Sequence, residues 1–270
     1  MMSTDSFRLG FIGCGHMGLA IAKGAVHSQV LKPEEICVFD PNPAVNERCR
    51  DEGVELLKDG KEVIRRSRVV LLAVTPQACD AVLEQLKGTK PEALLSIVTG
   101  ASIRYLQQTF GNVPVIRAMP NTPLQVGYGS TALCRSRECP EEVYAFVRAL
   151  FEATGVVCEI PEERMNEMVC VHGSIPAYVY YLTECILQDM VARGHDEAAT
   201  REMLVQTVIG SGKLMQAHPE KPLQAFIDEV CSKGGTTIEA VGEMRAGKMD
   251  RIIHEADEKC IRRANELSKE

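Results

Sequence analysis

The sequence has no tryptophan, and aromatic residues make up only 5% of it. A hydrophobic core must therefore be built from Ala, Val, Ile, Leu and Met. Aromatic platforms for stacking single-stranded nucleic acid would be scarce. A basic patch is missing too. The 270 residues carry a formal net charge of -7, so binding along a phosphate backbone is not expected. No apolar run reaches membrane-spanning length. The first residues, "MMSTDSFRLGFIG", lack a basic segment followed by an apolar signal core. Eleven cysteines are present, but none form a CxxC pair and no Cys/His set has zinc spacing. The expectation is a cytoplasmic soluble protein with reduced, mostly buried thiols, and with no metal, nucleic-acid or membrane partner.

What is present is ordinary globular composition, 45% hydrophobic and 25% charged. The first part of the chain alternates. "RLGFIG", "EICVFD", "RVVLLAV", "LLSIVTG" and "PVIRAMPN" read as strands. Amphipathic stretches such as Met17 to Ser28 and "NPAVNERCRDEG" read as helices between them. The continuous apolar run of "RVVLLAV" suits a strand buried on both faces. This rhythm predicts an α/β unit with a parallel sheet covered by helices. From Glu162 onward only helical spacing remains, with Tyr178, Tyr181, Leu182, Cys185 and Ile186 sharing one face. Two domains are expected, 1–160 and 161–270, with the boundary near Pro161.

Gly13-Cys14-Gly15-His16-Met17-Gly18 follows the first strand directly and opens a helix. That is the context in which G-x-G-x-x-G binds a dinucleotide. The first glycine permits the turn, the second lets backbone approach a pyrophosphate, and the third lets helix and strand pack closely. Helix N-terminal amides then face the phosphates, with His16 and Met17 beside them. Asp40 ends the second strand, where an acidic side chain accepts from a ribose 2′-hydroxyl and disfavours a 2′-phosphate. NADH or NADPH is expected, with a lean to NADH from Asp40. As an Asp-Pro turn former, Asp40 also has a purely local role open to it. "LLAVTPQ" ends at the carboxyl edge of the sheet, where ligands of such folds lie. Ala73, Thr75 and Pro76 are therefore candidate cofactor contacts.

"FIGCGHMGLAIAKG", "LLAVTPQ", "RAMPNTPLQVGYGSTAL" and "SKGGTTIEAV" occur in that order. Together, from about Leu9 to about Cys260, they resemble the pyrroline-5-carboxylate reductase family of proline biosynthesis. The resemblance implies an N-terminal Rossmann domain and an all-helical C-terminal dimerisation domain. It implies a homodimer, built up further in some cases to a decamer, with an active site that combines residues of two chains. It places Asn121, in Met-Pro-Asn-Thr-Pro, near the nicotinamide. It gives Thr237 as the residue whose hydroxyl meets the nitrogen of a cyclic imine. Backbone amides at Gly234, Gly235 and Thr236, with the Ser232 hydroxyl, would hold the substrate carboxylate. The implied reaction is NAD(P)H-dependent reduction of 1-pyrroline-5-carboxylate to L-proline, achieved mainly by positioning.

The chain departs from the family pattern at Thr75 (commonly Lys), Ile175 (commonly Gly) and Lys233 (commonly Pro). These departures leave open another cyclic imino acid as substrate, or a non-catalytic, dinucleotide-binding regulator. The related β-hydroxyacid dehydrogenases use a helical-domain lysine, for which Lys213 is the candidate here. The paired Met-Pro-Asn-Thr-Pro and Gly-Gly-Thr-Thr segments argue against that reading.

Overall fold

A computed structural model describes residues 6–269, so the first residues of "MMSTDSFRLGFIG" fall outside the described residues. The chain begins with β1 (Phe7–Ile12), α1 (His16–His27), β2 (Ile36–Phe39) and α2 (Pro43–Asp51). A short β3 (Glu55–Leu56), α3 (Gly60–Arg66), β4 (Ser67–Leu72), α4 (Pro76–Leu86) and β5 (Ala93–Ser96) follow. Next come α5 (Ile103–Phe110), β6 (Val115–Pro120), β7 (Gly129–Arg135), α6 (Glu141–Glu152) and β8 (Gly155–Glu159). Each strand foreseen in the sequence is present. Val69 to Leu72 in β4 are at most 1% exposed, as expected when helices cover both faces of the sheet.

The eight strands lie in the order β3-β2-β1-β4-β5-β6-β7-β8. All neighbours are parallel except β6 and β7, which pair antiparallel from Ile116–Arg135 to Pro120–Thr131. That reversal was not foreseen. Only a single-turn helix, Thr122–Val126, links the two strands. A parallel return needs a crossover of a dozen or more residues, so the next strand can only run back alongside. Two apolar clusters, one containing Phe11 and Phe151 and the other Leu72 and Leu94, form the core.

Helices alone make up the rest: α7 (Ile175–Ala192), α8 (Glu197–Ala217), α9 (Leu223–Val230), α10 (Thr236–Ala246) and α11 (Met249–Glu266). The chain divides into two compact units, one running to Pro176 and resuming at Cys260, the other spanning Ala177–Lys259. The first extends past Pro161 because Glu162 ties it to the sheet domain. Its carboxylate accepts from the Ile103 N–H at 2.8 Å and from buried Arg117 at 2.7 Å. The C-terminal end returns to this unit through the Lys269 N–H, which donates to the Gly100 carbonyl at 2.7 Å.

In the helical unit only Leu187 is buried. Tyr181, Met203 and Leu223 are each at least 65% exposed. A unit with so little of its own core cannot be stable by itself. No helix among the described residues is long and apolar enough to cross a membrane.

Candidate active site

The glycine loop begins where β1 ends. Gly13 donates its N–H to the Phe39 carbonyl at 2.8 Å, and Ala73 donates to the Ile12 carbonyl at 2.9 Å. The loop thus lies across the carboxyl ends of β1, β2 and β4. Gly13 has φ +82°, and a Cβ there would stand 2.7 Å from the Ala73 carbonyl oxygen. Both the left-handed backbone and the close approach demand glycine. A Cβ on Gly18 would meet the Gly13 carbonyl at 3.3 Å and the Ala73 side chain at 3.4 Å, which is the helix-to-strand packing role. Gly15 differs, because a Cβ there meets nothing within 4 Å. Space is held open above it, as a passing pyrophosphate would require. Gly15 is the N-cap of α1 and no side chain caps that end. The first-turn N–H groups of α1 thus remain available to an anion.

Two clefts flank this loop and share Gly15, Ala73, Val74 and Thr75. One, of about 510 Å³, is walled by Gly13, Phe39, Asp40, Asp59 and Lys61. The other, of about 320 Å³, is walled by His16, Met17, Gly18, Pro76, Thr99 and Met119. Every candidate cofactor residue except Asn121 lines one of them or both. Thr99, just beyond β5, and Lys61, at the start of α3, were not foreseen. For Thr99 the signal was present, since the rule that pointed to the end of β4 applies equally to the end of β5.

Asp40 combines two roles. One carboxylate oxygen accepts the Cys14 N–H at 2.8 Å and the other accepts the Asn42 N–H at 2.9 Å. It therefore shapes the turn and braces the glycine loop. Each oxygen keeps a lone pair for a sugar hydroxyl. Thr75 is the N-cap of α4 but its side chain makes no cap bond, leaving its hydroxyl free to face the cleft.

Asn121 is placed differently from the expectation of a nicotinamide contact. It is 8% exposed and lines neither cleft. Its side-chain oxygen accepts the Ser130 N–H at 2.9 Å, and its amide donates to the His172 carbonyl at 3.1 Å. It clamps the Met-Pro-Asn-Thr-Pro turn to β7 and to the segment before α7. Met119 and Pro120, its neighbours in the turn, reach the cleft instead. His172 is itself buried, and neither ring nitrogen has a partner among the described residues. Burial alone pushes its pKa down, so the ring is neutral.

In the helical unit, Ser232 to Gly235 form a tight turn, with the Gly235 N–H donating to the Ser232 carbonyl at 2.9 Å. Gly234 has φ +74° while Lys233 keeps a negative φ, the signature of a type II turn. Gly235 is the N-cap of α10, and no side chain caps the helix. The hydroxyls of Ser232, Thr236 and Thr237 make no hydrogen bond within the chain among the described residues. Elsewhere in this unit, Thr183 bonds the Val179 carbonyl at 2.7 Å and Thr207 the Met203 carbonyl at 2.8 Å, each within its own helix. The Gly235 N–H, expected to meet the substrate carboxylate, is thus spent on the turn itself, and the free amides beside the free hydroxyls are those of the first turn of α10, from Thr236 onward. That set suits a small carboxylate and one further hydrogen-bonding group.

Comparison with known proteins agrees with this geometry. Residues 162–267 match the family model for pyrroline-5-carboxylate reductase dimerisation. Residues 8–100 match the model described as NADP oxidoreductase coenzyme F420-dependent. A pyrroline-5-carboxylate reductase from Synechocystis is 37% identical over 98% of this chain and 99% of its own. This chain belongs to the pyrroline-5-carboxylate reductase family. The family's Escherichia coli member is 34% identical over 97% of this chain and 98% of its own. A solved 1-pyrroline-5-carboxylate reductase from Streptococcus pyogenes superposes with a TM-score of 0.87 at 28% identity, covering 97% of this chain and all of that one.

As a family member the chain keeps its helical dimerisation region, which accounts for the exposed apolar side chains of α7 to α9. The departures from the family pattern are each accommodated. Ile175 opens α7 and is 37% exposed, so its side chain is not forced into the interior of the chain. Lys213 is exposed on α8 and bonds Gln216 at 3.3 Å, a surface role unlike that of a catalytic lysine. Lys233 occupies the second position of a type II turn, where proline is favoured. Lys233→Pro is expected to raise stability by about 0.4–1 kcal/mol by restricting the unfolded chain. Thermal denaturation of the two proteins checks this, and a drop in melting temperature would show that the turn is not type II.

Proposed function

We propose that this chain reduces 1-pyrroline-5-carboxylate to L-proline with a nicotinamide dinucleotide. The observation that carries the reading is the unsatisfied donor set at the start of α10, in a chain of this family. The free N–H groups of Thr236 and Thr237, with the Ser232 hydroxyl, hold the substrate carboxylate. The Thr237 hydroxyl oxygen accepts from the N–H of the protonated imine, so that the ring carbon stays electrophilic and correctly aimed. In the sheet unit, the first turn of α1 takes the pyrophosphate. Asp40 takes the adenosine ribose. Thr75, Pro76, Thr99 and Met119 line the nicotinamide half, while Asn121 holds their turn in place. The bound dinucleotide supplies the hydride, and the chain supplies orientation. Residues 161–270 act as the dimerisation and substrate domain, and dimers assemble further, up to a decamer. The protein works in the cytoplasm, in keeping with its unpaired cysteines.

NADH is the preferred donor, because the Asp40 carboxylate repels a 2′-phosphate. The test is oxidation of NADH and NADPH with 1-pyrroline-5-carboxylate and with its six-membered homologue. Turnover with the five-membered ring, faster with NADH, is expected. No turnover with either ring would leave a non-catalytic binder as the reading. Asp40→Ser is expected to raise the NADPH-to-NADH ratio of kcat/KM about 10-fold, equivalent to about 1.4 kcal/mol of relieved repulsion. An unchanged ratio would mean that Asp40 serves only the turn.

A further inference from the structure

Beyond α11 the chain runs along the loop that follows β5. The Lys269 N–H donates to the Gly100 carbonyl at 2.7 Å, and the Lys269 carbonyl accepts from the Ser102 N–H at 3.3 Å. These two bonds pair Lys269 with Ala101 as one rung of a parallel ladder. A Cβ on Gly100 would stand 2.3 Å from the Leu267 carbonyl oxygen, so the two backbones touch and only glycine leaves room. Side chains fix the segment on both sides. The Asn166 amide donates to the Ser268 hydroxyl at 2.8 Å. The Lys269 ammonium pairs with the Asp80 carboxylate at 2.5 Å and lies 5.6 Å from the centre of the Tyr105 ring. The Tyr105 hydroxyl donates to that same carboxylate.

These anchors converge on the cleft that Thr75, Thr99 and Met119 wall. Thr99 directly precedes Gly100, the residue that Lys269 holds. Asp80 lies on α4, one helical turn after Pro76, and the start of α4 forms another wall of the same cleft. The reaction uses none of Leu267, Ser268 and Lys269. We propose that Leu267–Lys269 is a positioning strap, which holds the Thr99 loop against the start of α4 and so sets the wall on which the nicotinamide rests. This rests on reading that cleft as the nicotinamide half of the cofactor site. The loop needs such a hold because it lies beyond the end of β5 and turns through Gly100 at φ +82°, and a glycine turn has the most conformational freedom to lose. The main-chain bonds carry the strap more than the ion pair does. The Asp80 side chain is 66% exposed, and a pair so open to water contributes little.

The test compares the parent chain with full-length Lys269→Pro, which has no N–H to give to Gly100. A chain ending at Glu266, which lacks the strap altogether, is the second variant. NADH and ADP-ribose are titrated into each by calorimetry. ADP-ribose carries the adenosine and pyrophosphate but no nicotinamide, so it reports on the Asp40 cleft and the glycine loop alone. Both variants are expected to bind NADH about 5-fold more weakly, the scale of one lost hydrogen bond, and to bind ADP-ribose as the parent does. A segment that only stabilised the fold would weaken both ligands alike or neither. A ratio of NADH to ADP-ribose affinity that stays at the parent's value in either variant therefore overturns the proposal. The chain ending at Glu266 decides alone if Lys269→Pro does not fold. A parent chain that binds neither ligand would instead sink the dinucleotide reading, and the strap's role with it.

Discussion

Thr237→Ala is expected to lower kcat with 1-pyrroline-5-carboxylate about 100-fold, the usual cost of losing one positioned hydrogen-bonding group in a reaction centre. Cofactor affinity should not change, because the cofactor clefts are built by the sheet unit. Stability should not change either. A threonine that caps a helix costs about 0.5–2 kcal/mol when removed, but the cap here is Gly235, with no side-chain bond. Thr237→Ser keeps the hydroxyl and should recover most of the rate. Steady-state kinetics with both variants, alongside thermal melts, separate the outcomes. Full activity in Thr237→Ala would remove the hydroxyl from the mechanism. A fall in melting temperature that matches the fall in rate would make its role structural.

The second large effect concerns two glycines of one loop, which should fail in opposite ways. Gly15→Val is expected to fold with a loss of at most about 1 kcal/mol, because Gly15 is the N-cap of α1 and valine caps a helix less well than glycine. A Cβ at this position meets nothing within 4 Å. It fills the space through which a pyrophosphate passes, so NADH and NADPH should both bind at least 100-fold more weakly, a loss of about 2.7 kcal/mol. Gly13→Ala should lose stability instead. Its φ of +82° and the carbonyl oxygen 2.7 Å from its Cβ cost about 1–3 kcal/mol in strain. Cofactor titration and thermal denaturation of both variants check this. Normal binding by Gly15→Val would mean that no pyrophosphate crosses that glycine.

Much of the sheet unit was legible in the sequence because its signals are local. A buried parallel strand is a continuous apolar run, and the end of such a strand is a place where ligands lie. That reasoning found β4 and placed Thr75 at the cleft. Asn121 shows where local reasoning stops. Its side chain could have faced the cleft or the interior. The choice was made by the Ser130 N–H and the His172 carbonyl, 9 and 51 positions away in sequence. The antiparallel β7 was missed for a related reason. It followed from the brevity of the Thr122–Val126 link, and "GSTALCR" reads as a strand of either direction.

The turn at Ser232 to Thr237 shows the same division. Its composition, with paired glycines before paired threonines, marks a helix start that tolerates a left-handed residue. Whether its hydroxyls cap that helix or remain free for a ligand depends on backbone geometry, and the geometry leaves them free. By itself, then, the sequence determined the alternation of strands and helices, the glycine loop and the family. Periodicity and glycine's conformational range act within a few residues of each other. Only the tertiary structure decided which side chains reach the clefts and which are spent on clamps. Those outcomes depend on partners brought together by packing across long stretches of chain.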